Sequence, residues 1–178
     1  MDKKWDTIEV LRHARHDWLN KLQLIKMNLS MDRPEKVHEI IDQIVMESQQ
    51  ETRLSNLKLP RFASLLLTCN WEKHLFKLDY EVIESSHTNH VDDELLAKWT
   101  NDLFLAVDQC IEPFQENYLS VTIQPEEAGI RFFFDFKGII TDNVHLKRFL
   151  GNPDSALTVQ VTCLKEDELS IEVFLLPG

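Results

Sequence analysis

Two helical segments, each with a single apolar stripe and joined by a very short turn, constrain this chain more than any other feature. From Thr7 to Leu29 the positions Ile8, Leu11, Trp18, Leu22, Ile25 and Leu29 recur at three- and four-residue intervals, with Ala14 and Arg15 at the one weak step. The stretch MDRPEKV follows. There Asp32 is expected to cap a new helix, Pro34 suits its first turn, and Glu35 completes an Asp-x-x-Glu capping box. This second helix carries Val37, Ile40, Ile41, Ile44 and Val45, and it is expected to stop near Pro60, which disfavours helix at the residue before it. Two helices of about 25 residues with one stripe each cannot enclose a core between only themselves. Pairing with a second copy gives a four-helix bundle with two-fold symmetry, so a homodimer is expected. The competing arrangement docks both stripes onto the C-terminal part of the same chain.

The remaining bulk properties narrow the function classes. With 43% hydrophobic and 28% charged residues in 178, the chain has the composition of a soluble globular protein. The N-terminal MDKKWDTIEV has no apolar h-region, and no later run is long enough to span a membrane, so no membrane association and a cytoplasmic location are expected. Residues 1–60 carry 10 Lys and Arg against 10 Asp and Glu, whereas residues 61–178 carry 9 against 20, so the whole net charge of −11 lies in the second part. That surface repels nucleic acid, which is not an expected partner. Cys69, Cys110 and Cys163 are odd in number, without a CxxC pair and in apolar neighbourhoods, and read as buried reduced thiols.

His16 stands out on the first helix. At about 100° per residue with Trp18 at zero, Leu11, Leu22, Ile25 and Leu29 fall within roughly 40° of zero and His16 near 160°. It points away from the stripe, amid a polar strip with Arg12, Asn20 and Gln23. It is neither mid-stripe nor at a helix end, so neither a core nor a capping role suits it. On helical geometry alone a solvated surface histidine is favoured over a functional one. Chemistry adds to the second reading: an exposed imidazole is a nucleophile toward phosphorus when one ring nitrogen is unprotonated and the other is held by an acceptor. Asp17 can orient the ring or bias its tautomer, and Arg12 can steady the charge of a phosphoryl group. Phosphoryl transfer asks for positioning and charge stabilisation, which an open helix face can supply.

The stretch RHDWLNKLQLIKMNLS resembles the phosphoacceptor helix of two-component signalling proteins, in the subgroup with an acidic residue after the histidine and an asparagine four positions on: His16, Asp17, Asn20, then Leu22. With SNLK-P at Ser55 to Pro60, NW at Asn70 and Trp71, and a similar length and order of segments, the chain is similar to the sporulation phosphotransferase family of spore-forming bacilli. The resemblance implies that His16 is phosphorylated by the aspartyl phosphate of one response regulator and passes the group to the aspartate of a second. It implies no bound cofactor, with Mg²⁺ supplied by the regulator. Leu19, Gln23, Leu24 and Met27 are the expected contacts for the visiting partner, although Leu19 is equally suited to a core. His13 falls nearer 220° and matches no motif position.

From Leu59 onward the sequence reads as an α/β sandwich, so the fold class is a helical hairpin over residues 1–60 followed by an α+β domain over 61–178. A helix is expected from Phe62 to Phe76, a strand at YEVIE, a helix from Asp92 to Ile111, strands at YLSVTIQ, IRFFFDF, ALTVQVTCL and LSIEVFLL, and a short helix or turn at TDNVHLKRFLG. That order is similar to the ATP-binding domain of histidine kinases. Its nucleotide chemistry is not expected here: the glycines are Gly129, Gly138, Gly151 and Gly178, none in a GxG pattern, and only Asn101 matches the magnesium-binding helix. Glu84, His87 and His90 in ESSHTNH read as a solvated loop rather than a metal site. Trp18 and Trp99 fall on apolar stripes and read as core. A dimeric docking module that holds a regulator without transfer is the rival reading.

Overall fold

The computed structural model describes residues 5–87, 90–151 and 157–177. Contacts divide the chain into two compact units, Met1–Gln49 and Gln50–Gly178.

The first unit is built on α1 (Thr7–Ser30) and the greater part of α2 (Pro34–Asn56). Asp6 starts α1, its carboxylate accepting the Glu9 backbone N–H at 2.8 Å. The turn differs from expectation. Asp32 does not cap α2; it sits at φ 52°, and the Asp32 and Arg33 N–H groups donate back to Leu29 O and Asn28 O. These paired bonds close α1 with a left-handed residue, which aspartate tolerates better than most side chains. Reversal within so few residues leaves Asp32 to end one helix rather than begin the next.

Within this hairpin the half-buried and buried positions of α1 are Glu9, Val10, His13, Ala14, Lys21, Ile25 and Asn28, and those of α2 as far as Gln49 are Val37, Ile40, Ile44 and Glu47. Lys21 Nζ reaches Glu47 Oε2 at 2.5 Å across the seam. Most of the seam of α1 lies roughly 60° around the helix from Trp18. Trp18 is therefore not core within the single chain: it is 51% exposed, as are Leu11, Leu22 and Leu29 to similar degrees. On α2, Ile41 and Val45 are exposed in the same way. Both stripes are turned from the seam in the same rotational sense, which in an antiparallel pair places them on one side of the hairpin.

The second unit is a five-stranded sheet in the order β1-β2-β3-β5-β4, with helices on one face. Its elements are α3 (Pro60–Cys69), β1 (Lys77–Val82), α4 (Asp93–Cys110), β2 (Tyr118–Glu126), β3 (Gly129–Lys137), α5 (Asn143–Leu150), β4 (Leu157–Leu164) and β5 (Glu168–Leu175). β1 and β2 are parallel, joined through α4, and the other pairs are antiparallel. Alternation along the strands buries Val121, Phe132, Phe134, Phe136, Ile171 and Val173 on the helix side. Phe62 of α3 meets Phe132 at 5.3 Å and Trp99 of α4 meets Phe134 at 5.6 Å, both edge to face, while Phe149 of α5 lies 6.0 Å from Trp99. Trp99 is core, as its stripe predicts.

Boundaries at α3 and β1 differ from the sequence reading, and α2 ends at Asn56, short of Pro60. α3 ends at Cys69 rather than Phe76, because Asn70 turns its amide onto the backbone of Leu78, donating to the carbonyl at 2.8 Å and accepting the N–H at 2.9 Å. β1 starts at Lys77 rather than Tyr80, because parallel pairing with β2 begins at Lys77↔Tyr118. Ala156, expected to open a strand, lies outside the described residues, as do Thr88 and Asn89 of the ESSHTNH loop. Among the described residues no helix is long and apolar enough to cross a membrane. Cys69 and Cys110 are buried free thiols, while Cys163 is only half-buried.

Candidate functional site

α1 carries His16 in its third turn, far enough from either end that its backbone is held by helical hydrogen bonds. The 24-residue run has no glycine or proline to bend it, so side chains at four-residue spacing stand in a row. His16 projects from the side of α1 away from α2, and its side chain is 71% exposed.

Two neighbours converge on one ring nitrogen. Asp17 Oδ1 lies 3.4 Å from His16 Nδ1, and Asn20 Nδ2 lies 3.3 Å from the same atom. Both contacts are long, and both leave Nε2 as the nitrogen for an incoming electrophile. Arg12 stands exposed one turn back on the same strip, and Gln23 is exposed one turn further on beyond Asn20. The structure thus brings Arg12, His16, Asn20 and Gln23 into one row, with Asp17 beside it.

The expected partner contacts are all at the surface. Leu19, Leu24 and Met27 are each about half exposed and flank the polar row, which settles Leu19 as surface rather than core within the chain. His13 behaves differently: it is half-buried, and its ring packs edge-on against Trp5 at 5.1 Å.

Both parts of the chain match family models. Residues 1–57 match the sensor-kinase SpoOB-type alpha-helical domain, and residues 58–176 match the C-terminal domain of sporulation initiation phosphotransferase B. Sporulation initiation phosphotransferase B of Bacillus subtilis (strain 168) is 40% identical over 139 residues, covering 77% of this chain and 72% of the relative. This chain belongs to the sporulation initiation phosphotransferase B family. Among solved structures, the catalytic domain of the histidine kinase ThkA aligns over 70% of this chain and 92% of its own at 9% identity, with a TM-score of 0.48. A bacterial phosphotransferase solved at 1.7 Å aligns over 96% and 98% at 9% identity, with a TM-score of 0.44.

Away from the His16 strip, this family member has two polar groupings, of which the sequence pattern singled out only the ESSHTNH loop. In the second unit, His74 is nearly buried, with Nδ1 2.7 Å from Asp108 Oδ2, and its ring stacks on Phe76 at 5.0 Å. The residues are 34 positions apart, so only the packed fold reveals the pair. Glu84, His87 and His90 line an open cavity of about 200 Å³ with Arg53 and Lys58, where Arg53 pairs with Glu84 at 3.1 Å. Among the described residues no cluster of His, Cys, Asp and Glu is arranged to hold a metal ion.

Proposed function

We propose that this protein is a phosphorelay phosphotransferase of the pathway that starts sporulation, with His16 as its phosphoryl carrier. The group comes from the aspartyl phosphate of one response regulator and goes to the aspartate of a second. The observation that carries this reading is the exposed His16 ring, held at Nδ1 beside a carboxylate, in the helical domain of a phosphotransferase family member.

The chemistry follows from that geometry. A proton on Nδ1, facing Asp17, puts the ring's lone pair on Nε2, the nucleophilic atom. Asp17 is a positioning residue, since it acts through the ring. Arg12 supplies positive charge within a helical turn of the incoming phosphoryl group. Leu19, Leu24 and Met27 frame the row and, with Gln23 in it, give a regulator both apolar and hydrogen-bonding contact, so docking sets the in-line approach. The regulator brings its own acidic pocket and Mg²⁺, and ATP is not a substrate.

A second copy of the chain covers the apolar side of the hairpin. Leu11, Trp18, Leu22, Ile41 and Val45 form a continuous face that a two-fold axis makes self-complementary. A four-helix bundle of two hairpins leaves each His16 on the outside.

The test offers labelled phosphate to the protein and to His16→Gln, from ATP alone and from a pre-phosphorylated regulator. Acid-labile, alkali-stable label from the regulator only, absent in the variant, is the expected result. Label from ATP alone would make the protein a kinase, and no label from either source would favour a docking module.

A further inference from the structure

His16 Nδ1 faces an acceptor and a donor at once. Asp17 Oδ1 at 3.4 Å favours a protonated Nδ1, whereas the Asn20 amide at 3.3 Å, turned with its NH₂ group to the ring, favours an unprotonated one. A neutral imidazole satisfies only one of them at a time. We propose that Asn20 is the holding group for phosphohistidine: its amide donates to unprotonated Nδ1 of the Nε2-phosphorylated ring and prolongs the life of the phosphoryl group. The inference rests on His16 as the phosphoryl carrier and assigns Asn20 a role opposed to that of Asp17.

The bond changes show why one nitrogen controls both directions. Attack by the Nε2 lone pair on an aspartyl phosphate forms an N–P bond and breaks the P–O bond, and the electron pair leaves with the carboxylate. Nδ1 keeps its proton, so the phosphorylated ring is first cationic and lies against Asp17. Loss of that proton to water leaves an Nδ1 lone pair, which the Asn20 N–H is placed to meet. In that neutral form the ring is a poor leaving group, because breaking the N–P bond would expel an imidazolide anion. Return of the proton to Nδ1 lets the ring depart as neutral imidazole while the acceptor's carboxylate forms the new O–P bond. Asp17 thus favours transfer, and Asn20 favours waiting between encounters. The charged or titratable residues nearest the ring around α1 are Glu9, Arg12 and His13, with Arg15 and Asp17 on either side of it in sequence. Arg12 attracts the phosphoryl group in either state and does not select between them.

The test needs no regulator. Full-length protein is phosphorylated with phosphoramidate, the His16 signal being identified by its loss in His16→Gln. Nitrogen-15 spectra read the proton on Nδ1, and decay of the phosphohistidine signal at neutral pH reads its lifetime. Asn20→Ala is expected to raise the Nδ1–H population of the phosphorylated ring and to shorten its lifetime about three- to tenfold, the worth of one hydrogen bond. Asp17→Asn is expected to do the reverse, a contrast that a merely structural role at an exposed helix position would not produce. An unchanged Nδ1 population in Asn20→Ala, or a lifetime altered less than about twofold, overturns the assignment. Failure of phosphoramidate to load His16 overturns it too, since Nε2 would not be open. If loading and lifetimes behave as expected but a phosphorylated regulator transfers nothing, the relay reading fails and the role of Asn20 at Nδ1 stands.

Discussion

Phe62 donates its backbone N–H to the carboxylate of Asp93 at 2.9 Å, and the neighbouring Arg61 N–H donates to the other carboxylate oxygen at 2.8 Å. α3 begins after Leu59, which has no side-chain oxygen to satisfy the free N–H groups of a first helical turn. Asp93, in the first turn of α4, supplies that cap from the next helix while Asp92 caps α4 itself. Replacing Asp93 by Ala is therefore expected to cost about 1–2 kcal/mol, the usual worth of a lost cap. Urea denaturation checks this, with Asp92→Ala as the comparison for an ordinary cap within one helix.

On the open face of the sheet, Arg131 lies across two strands. Its Nε donates to Glu126 Oε1 at 2.7 Å, its Nη1 donates to Glu172, and its guanidinium sits 4.8 Å from the Phe174 ring centre. Hydrogen bonding to Arg131 holds the Glu126 carboxyl below its ordinary range. A carboxyl depressed in the folded state stabilises the fold above its unfolded value and loses that contribution as pH falls through the folded value. Glu126→Gln should accordingly melt at a lower temperature than the parent at neutral pH, and the two melting curves should converge in acid. Melting temperatures across that range measure the convergence.

The cysteines should separate sharply by reactivity. Burial, with added repulsion from Glu72 and Asp108, pushes the Cys69 thiol up to about 12, and burial also raises Cys110. The thiolate is the reactive form, so neither should react in the folded protein at mildly alkaline pH. Cys163, half-buried with Sγ 3.6 Å from Glu168 Oε2, is the accessible one. Iodoacetamide followed by mass spectrometry should place a single label on Cys163, with all three residues labelled after unfolding.

What the sequence made legible was periodic and local. The heptad-like stripe of α1, the alternation in IRFFFDF and the length of α4 follow from residue spacing, so these elements fall close to where their patterns put them. The row Arg12, His16, Asn20 and Gln23 was legible for the same reason, since a straight helix turns spacing into proximity. What escaped depends on contacts between distant residues. The Asn70–Leu78 pairing that ends α3, the Asp93 cap and the His74–Asp108 pair join segments that no periodicity relates. Asp32 escaped by a different route: one residue type suits both the start of a helix and a left-handed helix end, and only the length of the turn decides between them. The competing contacts of Asp17 and Asn20 at one ring nitrogen also required coordinates, because spacing alone brings residues near a ring but does not say which atom they meet.

The apolar side of the hairpin yields the last prediction. Trp18 and Leu22 on α1 and Val45 on α2 are about half exposed within one chain, an arrangement that favours burial against a second copy. Wild-type protein should sediment as a species of twice 20.9 kDa, and its melting temperature should rise with concentration, as expected when association is coupled to folding. Leu22→Glu places a charge at the centre of that face without touching the His16 row, which lies roughly 120° away around the helix. The variant should be monomeric in sedimentation, because two like charges would meet across the two-fold axis at a desolvated contact. Its His16 should still accept phosphate from phosphoramidate, since the ring chemistry resides in one helix. A wild-type protein that stays monomeric at high concentration would show that something other than a second copy covers the face.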